Sequence, residues 1–287
     1  TSDSEWWCSG FYPGTLFYLY EATGNDDLYK EGVRMLKLLD AEQYNSDTHD
    51  VGFMMYCSFG NANRIAPKPD YKDILVNSAR SLMTRFSPIV GCIKSHNRKP
   101  TDYVVIIDNI MNLELLFWAA EATGDSSFYD VAVKHADTTI KNHFRPDNSL
   151  YHGLNYDPKT GKIKQYQAGQ GASDKSAWAR GQAWGLYGFT MMYRFTRDEK
   201  YLDQAMKVAD FMLNHPNMPK DLIPYWDFNA PNIPKALRDA SAAAITSSGL
   251  LELCLYVKGE KQQTYLNAAE NILKVLASPA YTASENT

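Results

Sequence analysis

The strongest constraint on how this chain folds is a repeat. The stretch Leu16-Phe-Tyr-Leu-Tyr-Glu-Ala-Thr-Gly24 is echoed by Leu115-Leu-Phe-Trp-Ala-Ala-Glu-Ala-Thr-Gly124. Looser copies stand at Tyr193-Arg-Phe-Thr-Arg-Asp198 and Leu255-Tyr-Val-Lys-Gly259. Each copy closes one helical pattern and opens another, and a tyrosine follows shortly after: Tyr29, Tyr129, Tyr201 and Tyr265. Gly24 and Gly124 fit the position after a helix where positive φ is needed. Asp26 and Asp125 fit the caps of the helices that follow. The unit is an αα-hairpin, and a series of such hairpins stacks as a solenoid or closes into a toroid.

Apolar residues in steps of three and four support the helices. Ile110, Leu113, Phe117 and Ala120 form one stripe; Phe128, Val131, Ala132 and His135 form another, with His135 read as a core histidine. The pattern predicts helices over 12–23, 27–43, 51–64, 71–86, 109–122, 126–142, 177–195, 199–213, 240–257 and 262–276. They pair into five hairpins. One strand hairpin is predicted at 149–167, where Asp157-Pro-Lys-Thr-Gly161 supplies the turn. Turns inside hairpins are short, whereas the links 44–50, 87–108, 143–176 and 214–239 are long and rich in Asp, His, Trp, Arg and Gly. Long loops gathered on one side build sites. A closed α/α barrel would bring them over one mouth, with a sixth hairpin completing the ring. The expectation is therefore an all-α fold, a single domain over 1–287.

Composition narrows the function classes. A formal charge of -4 on 287 residues argues against a nucleic-acid partner and against a polybasic membrane surface. No apolar run approaches the roughly 20 residues that span a bilayer. The four cysteines show no metal-ligand spacing. There is no P-loop, GxGxxG, GxSxG or HExxH motif. The 19 Tyr, 12 Phe and 6 Trp suit either a core or sugar binding, where ring faces stack on C–H faces.

Several stretches carry residues capable of chemistry. Val104-Val-Ile-Ile-Asp108-Asn-Ile-Met-Asn-Leu sets one carboxylate between apolar runs. Asp108 reads as a helix cap, as an acid, or as both. Desolvation favours the protonated form of such a carboxyl, and an acid that keeps its proton near neutral pH can donate it. Thr48-His49-Asp50-Val-Gly52-Phe53 places a second acid at a hairpin start, again open to a capping role. Two carboxylates at one barrel mouth suit glycoside hydrolysis. In Gln170-Gly-Ala-Ser-Asp-Lys-Ser-Ala-Trp178-Ala-Arg180-Gly-Gln182-Ala-Trp184, helical spacing puts Trp178 with Gln182 and Arg180 with Trp184. Arginine suits a planar carboxylate or sugar hydroxyls, and the alternative is a helix start with packed tryptophans. Asp174 and Asp239 read as caps. His152 lies in the longest link, and Trp6-Trp7-Cys-Ser-Gly10-Phe-Tyr-Pro-Gly14 reads as a loop presenting rings.

The segments His49-Asp-Val-Gly-Phe53, Ile107-Asp-Asn-Ile-Met-Asn-Leu113, Ser176-Ala-Trp-Ala-Arg-Gly-Gln-Ala-Trp-Gly185, Ile223-Pro-Tyr-Trp-Asp-Phe228 and Arg238-Asp-Ala-Ser-Ala-Ala-Ala244 resemble glycoside hydrolase family 88, the unsaturated glucuronyl hydrolases. The resemblance runs in order over nearly the whole chain. It implies an (α/α)6 barrel with no metal or organic cofactor. It also implies release of 4,5-unsaturated glucuronate from the non-reducing end of lyase-made glycosaminoglycan-type oligosaccharides, by hydration of the vinyl ether. By resemblance, Asp108 protonates C4 and then takes a proton from the water that adds at C5, with Asp50 as the supporting carboxylate. His152, Gln170, Trp178, Arg180 and Trp184 hold the unsaturated sugar, Trp7 stacks on it, and His49 stands beside it. The chain would begin after the family's first helix and stop before its last, which accounts for ten helices where the fold wants twelve. The loop Ile93-Lys-Ser-His96 lacks an aromatic that relatives carry. Two other readings remain: an unsaturated galacturonyl hydrolase acting on pectin fragments on a similar barrel, and a helical sugar-binding module without catalysis.

Overall fold

The structure, a computed structural model, describes residues 3–97 and 99–283. Residues 1–2, 98 and 284–287, and with them both ends of the expected 1–287 domain, lie outside the described residues. Among the described residues the hairpins are present in order: α1 (Phe11–Thr23) and α2 (Asp26–Leu39), α5 (Leu113–Thr123) and α6 (Ser126–His143), α7 (Ala179–Thr196) and α8 (Glu199–Asn214), and α9 (Ala240–Leu253) and α10 (Glu260–Leu276). α3 (Asn61–Ile65) and α4 (Pro69–Met83) supply the remaining pair.

The hairpin turns follow the expected chemistry with one shift. Gly24 and Gly124 sit at φ 69° and 74°, and their N–H groups close onto Tyr20 and Ala120. Asp125 accepts the Ser127 N–H at 2.9 Å, as a cap should. Asp26 does not cap. Its neighbour Asn25 does, accepting from the Asp27 N–H at 3.0 Å. Aligned copy on copy, Asn25 is the counterpart of Asp125, and Asp26 already lies one residue inside the helix. The α7–α8 hairpin places Arg197 at φ 56° where α1 and α5 end on Gly24 and Gly124, and Asp198 caps α8.

Three predicted helices are not α-helical throughout. The 51–64 stretch is a π-helix over Gly52–Gly60 that continues into α3. The predicted 109–122 helix begins as a 3-10 turn over Ile107–Asn112. The predicted 27–43 helix ends likewise, as α2 followed by a 3-10 turn at Asp40–Tyr44. Short strands β1 (Phe86–Ser87) and β2 (Cys92–Ile93) pair antiparallel, and β3 covers Tyr103–Ile106. The expected hairpin appears as β4 (Gly153–Tyr156) hydrogen-bonded to β5 (Ile163–Gln167). Its turn is built by Asp157, whose side chain accepts the Lys159 and Thr160 N–H groups.

The chain packs as two compact units. The first comprises Thr1–Val105, Met111–His135 and Tyr156–Lys162; the second comprises Ile106–Ile110, Ala136–Asn155 and Ile163–Thr287. In the first, α1 lies on α2 and on the π-helix, and α4 packs on the π-helix and α5, around Phe17, Met54, Met55, Leu75 and Leu82. His135 belongs to this interior, its Nδ1 accepting the Ile93 N–H at 3.0 Å. In the second, α7 contacts both α8 and α9, and α9 contacts α10, around Phe189, Tyr201, Met212, Leu250 and Tyr265. Each such fully buried side chain contributes roughly 1.5–3 kcal/mol. No helix among the described residues is long and apolar enough to cross a membrane.

Candidate active site

In the second unit several of the candidate residues lie around Asp108 and His152. The 3-10 turn carrying it is seated by the Ile107 N–H, which donates to the His152 carbonyl at 2.9 Å. Ile106, Ile107 and Ile110 beside it are buried, and the Asp108 side chain is only 13% exposed. Its Oδ2 lies 3.5 Å from His152 Nε2. Asp108 is not the cap of α5: that position falls to Asn112, four residues on.

His152 is held on several sides. The Gln170 N–H approaches its Nδ1 at 3.3 Å, and its ring meets the Trp178 indole edge-on at 4.7 Å between centroids. Gly169, at φ 57°, makes the notch for the ring; a Cβ there would stand 1.5 Å from Nδ1. A donor at Nδ1 leaves the ring proton on Nε2, facing the Asp108 carboxyl.

Arg180 lies over the Trp178 ring, with the guanidinium carbon 4.8 Å from the centroid. One of its nitrogens donates to Gln170 Oε1 at 2.9 Å, and the other contacts Ser241 Oγ at 3.1 Å and Asp239 Oδ2 at 3.3 Å. Asp239 also caps α9, as expected, through the Ala242 N–H. Arg180 is half-buried and Gln170 exposed, so a cation and an amide with planar donors stand beside an indole face. Such an arrangement suits a carboxylated sugar. Trp184 is buried one turn beyond Arg180 on the same helix face, matching the i, i+4 spacing.

Sequence reasoning grouped Gln182 with these residues but assigned it no role. The structure makes it a clamp. Its Oε1 accepts the Leu150 N–H at 2.7 Å, and its Nε2 donates to the Leu150 and Trp178 carbonyls. It thereby ties α7 to the segment that ends in His152. The loop before Trp178 has a second anchor in Asp227, fully buried, which accepts from Ser176 Oγ at 2.7 Å and the Ala172 N–H at 2.9 Å. Asp174 does not cap α7: its Oδ1 accepts the Ala168 N–H within the same loop.

In the first unit His49 and Asp50 precede the π-helix. His49 is fully buried, with Nε2 3.4 Å from Asp50 Oδ1, and Asp50 Oδ2 accepts the Thr48 hydroxyl at 2.8 Å. His96, from the loop without the aromatic, stands edge-on to His49 at 5.2 Å. Trp7 is half-buried and packs edge-to-face on Phe11 and Phe53, at 5.6 and 5.5 Å. Asn112 accepts the Phe53 N–H at 2.8 Å and faces His49, a role sequence reasoning did not find. The partners are 59 and 63 residues away in the chain, so no local spacing signals them.

Known proteins match this chain closely. The model of Glycosyl Hydrolase Family 88 matches residues 1–278. An unsaturated glucuronyl hydrolase of Formosa agariphila is 47% identical over 279 residues, covering 96% of this chain and 69% of the relative. The crystal structure of an unsaturated glucuronyl hydrolase specific for heparin superposes with a TM-score of 0.96 at 47% identity, covering 100% of this chain and 76% of that one. A Streptococcus agalactiae unsaturated glucuronyl hydrolase variant, crystallised with dGlcA-GalNAc6S, superposes at 0.79 with 30% identity, covering 97% and 70%. The all-α, α/α-barrel class that the hairpin repeat allows and the family resemblance implies is the fold shared with these structures. On the family match and these likenesses together, the chain belongs to Glycosyl Hydrolase Family 88.

Proposed function

We propose that this protein, a single α/α-barrel catalytic domain over 1–287, is a hydrolase. It releases 4,5-unsaturated glucuronate from the non-reducing end of glycosaminoglycan-type oligosaccharides left by polysaccharide lyases. The reading is supported most by the Asp108–His152 pair, with a carboxyl set among buried isoleucines and 3.5 Å from an imidazole nitrogen. A proton delivered by Asp108 to C4 leaves a cation at C5, shared with the ring oxygen. Water adds at C5 and returns its proton to the Asp108 carboxylate. The hemiketal then opens to a ketone, which converts C1 to a hemiacetal, and that centre expels the remaining sugar as an alcohol.

His152 orients the acid, and Arg180 with Gln170 receives the uronate carboxylate. Trp178, Trp184 and Trp7 supply ring faces, and Asp50 with His49 forms the supporting acid pair. No cofactor takes part in these steps. The substrate partner is the unsaturated oligosaccharide itself. Conjugation of the C4=C5 bond with the carboxylate gives the substrate an ultraviolet absorbance that hydration destroys. That absorbance is expected to fall when the protein meets lyase-made disaccharides from heparin, chondroitin or hyaluronan. An unchanged signal on all of them, with loss only on pectin-derived unsaturated galacturonyl disaccharides, would replace the glucuronyl assignment.

A further inference from the structure

We propose that Asn112 is a positioning residue that dictates which nitrogen of His49 carries the proton, and through His49 holds the carboxylate of Asp50 in place. The inference rests on the reading of Asp50 as the supporting acid. Its physical basis lies wholly within the first unit. Asn112 is fully buried at the start of α5. The Phe53 backbone N–H, 2.8 Å away, can face only the amide oxygen, so the orientation of the amide is assigned. The NH2 group is then turned to His49 Nδ1 at 3.4 Å. An NH2 group is a donor only, so Nδ1 must offer its lone pair. The ring proton of a neutral imidazole is thereby placed on Nε2, the nitrogen 3.4 Å from Asp50 Oδ1.

Asp50 thus faces a donor at each oxygen, the imidazole N–H at Oδ1 and the Thr48 hydroxyl at Oδ2. The arrangement depends on close approach. A Cβ on Gly52 would lie 2.4 Å from Asn112 Oδ1, so any larger residue would push the amide off both partners. His49 is fully buried, so bulk solvent does not reach the ring to replace the lost contact. Asn112 touches neither Asp50 nor the proposed sugar in this account. It acts through His49.

The test is nitrogen NMR of the full chain labelled at its six histidines, with the His49 signals identified by their loss in His49→Gln. At neutral pH His49 is expected to show an unprotonated Nδ1 and a protonated Nε2. A proton on Nδ1 overturns the proposal, whatever any variant does. Asn112→Asp keeps the acceptor for Phe53 but turns an acceptor toward Nδ1. It is expected to move the proton to Nδ1 and lower kcat about 10- to 100-fold on unsaturated disaccharides, because the imidazole N–H no longer faces the Asp50 carboxylate. KM should change by no more than about twofold, because the sugar-holding residues are untouched. A folded Asn112→Asp protein with the original tautomer and full kcat also overturns the proposal. Wild-type protein inert on every unsaturated disaccharide would remove the proposed function, while the His49 spectrum would still decide the tautomer.

Discussion

A general acid needs a carboxyl that holds its proton at the working pH and a fixed orientation toward the atom it protonates. The acid role proposed for Asp108 rests on the buried Ile106, Ile107 and Ile110 beside it and on His152 Nε2, 3.5 Å from its carboxyl. Asp108→Asn keeps the shape and removes the proton. It is expected to lower kcat by about 10²- to 10⁴-fold, the usual span for a general acid–base group, with binding of the unsaturated disaccharide retained by equilibrium dialysis. Gly169→Ala is the sharper probe of geometry. Its Cβ would intrude on His152 Nδ1, so the ring must turn away from Asp108. Steady-state kinetics should show kcat falling by about tenfold or more, as small misplacements in active sites do. Asp108 was singled out as a candidate acid because apolar residues flank it in sequence. Its position in a 3-10 turn was not, since the turn is seated by a His152 carbonyl 45 residues away.

Helices explain how these residues are presented. The hairpin repeat was legible because Gly24 and Gly124 mark the same turn twice, with matching hydrogen bonds. The π-helix was not, because Gly52-Phe-Met-Met-Tyr-Cys-Ser-Phe-Gly60 is apolar almost all round and so carries no phase to reveal a slipped register. Gln182 was read for its place in a motif, yet its role comes from Leu150, 32 residues away. Caps at hairpin turns are testable individually. Asp198 accepts the Lys200 N–H at 3.1 Å, and this bond, then the Lys200 ammonium, holds its carboxyl below the usual range. A lowered carboxyl stabilises the fold fully above its ordinary range, and the contribution is lost as pH falls through the lowered value. Asp198→Ala should therefore cost about 1 kcal/mol at neutral pH. Thermal melts of wild type and variant should converge on acidification.

At the scale of the molecule, the family resemblance rested on motifs spread from His49 to Ala244, and the structural likeness extends over 100% of the chain. Sequence periodicity located the helices but could not sort them into units, because unit membership depends on contacts between distant segments. Neither unit is continuous. Within the second, a Cβ at Gly181 or Gly188 of α7 would crowd Ile107 or Ile110, and Tyr201 of α8 donates its hydroxyl to Asp137 at 2.8 Å. The fragment 163–287 lacks all three of those partners. Expressed alone, it is expected to unfold without a cooperative transition in calorimetry, and a sharp melt would show that α7 to α10 are self-sufficient.

The interleaving has a consequence for how the protein is made. A chain leaves the ribosome from its amino end, so residues 106–110, with Asp108 among them, emerge long before the helix they rest on. Until the His152 segment and then α7 have been synthesised, this pentapeptide lacks the partners of its own unit. Three isoleucines and an acid must wait uncovered while the residues around them are added. The group proposed to start the chemistry would be among the first of its unit to be synthesised and among the last to find its place. A pause in translation between α6 and α7 would therefore bear on this site more than on any part of α1 or α2.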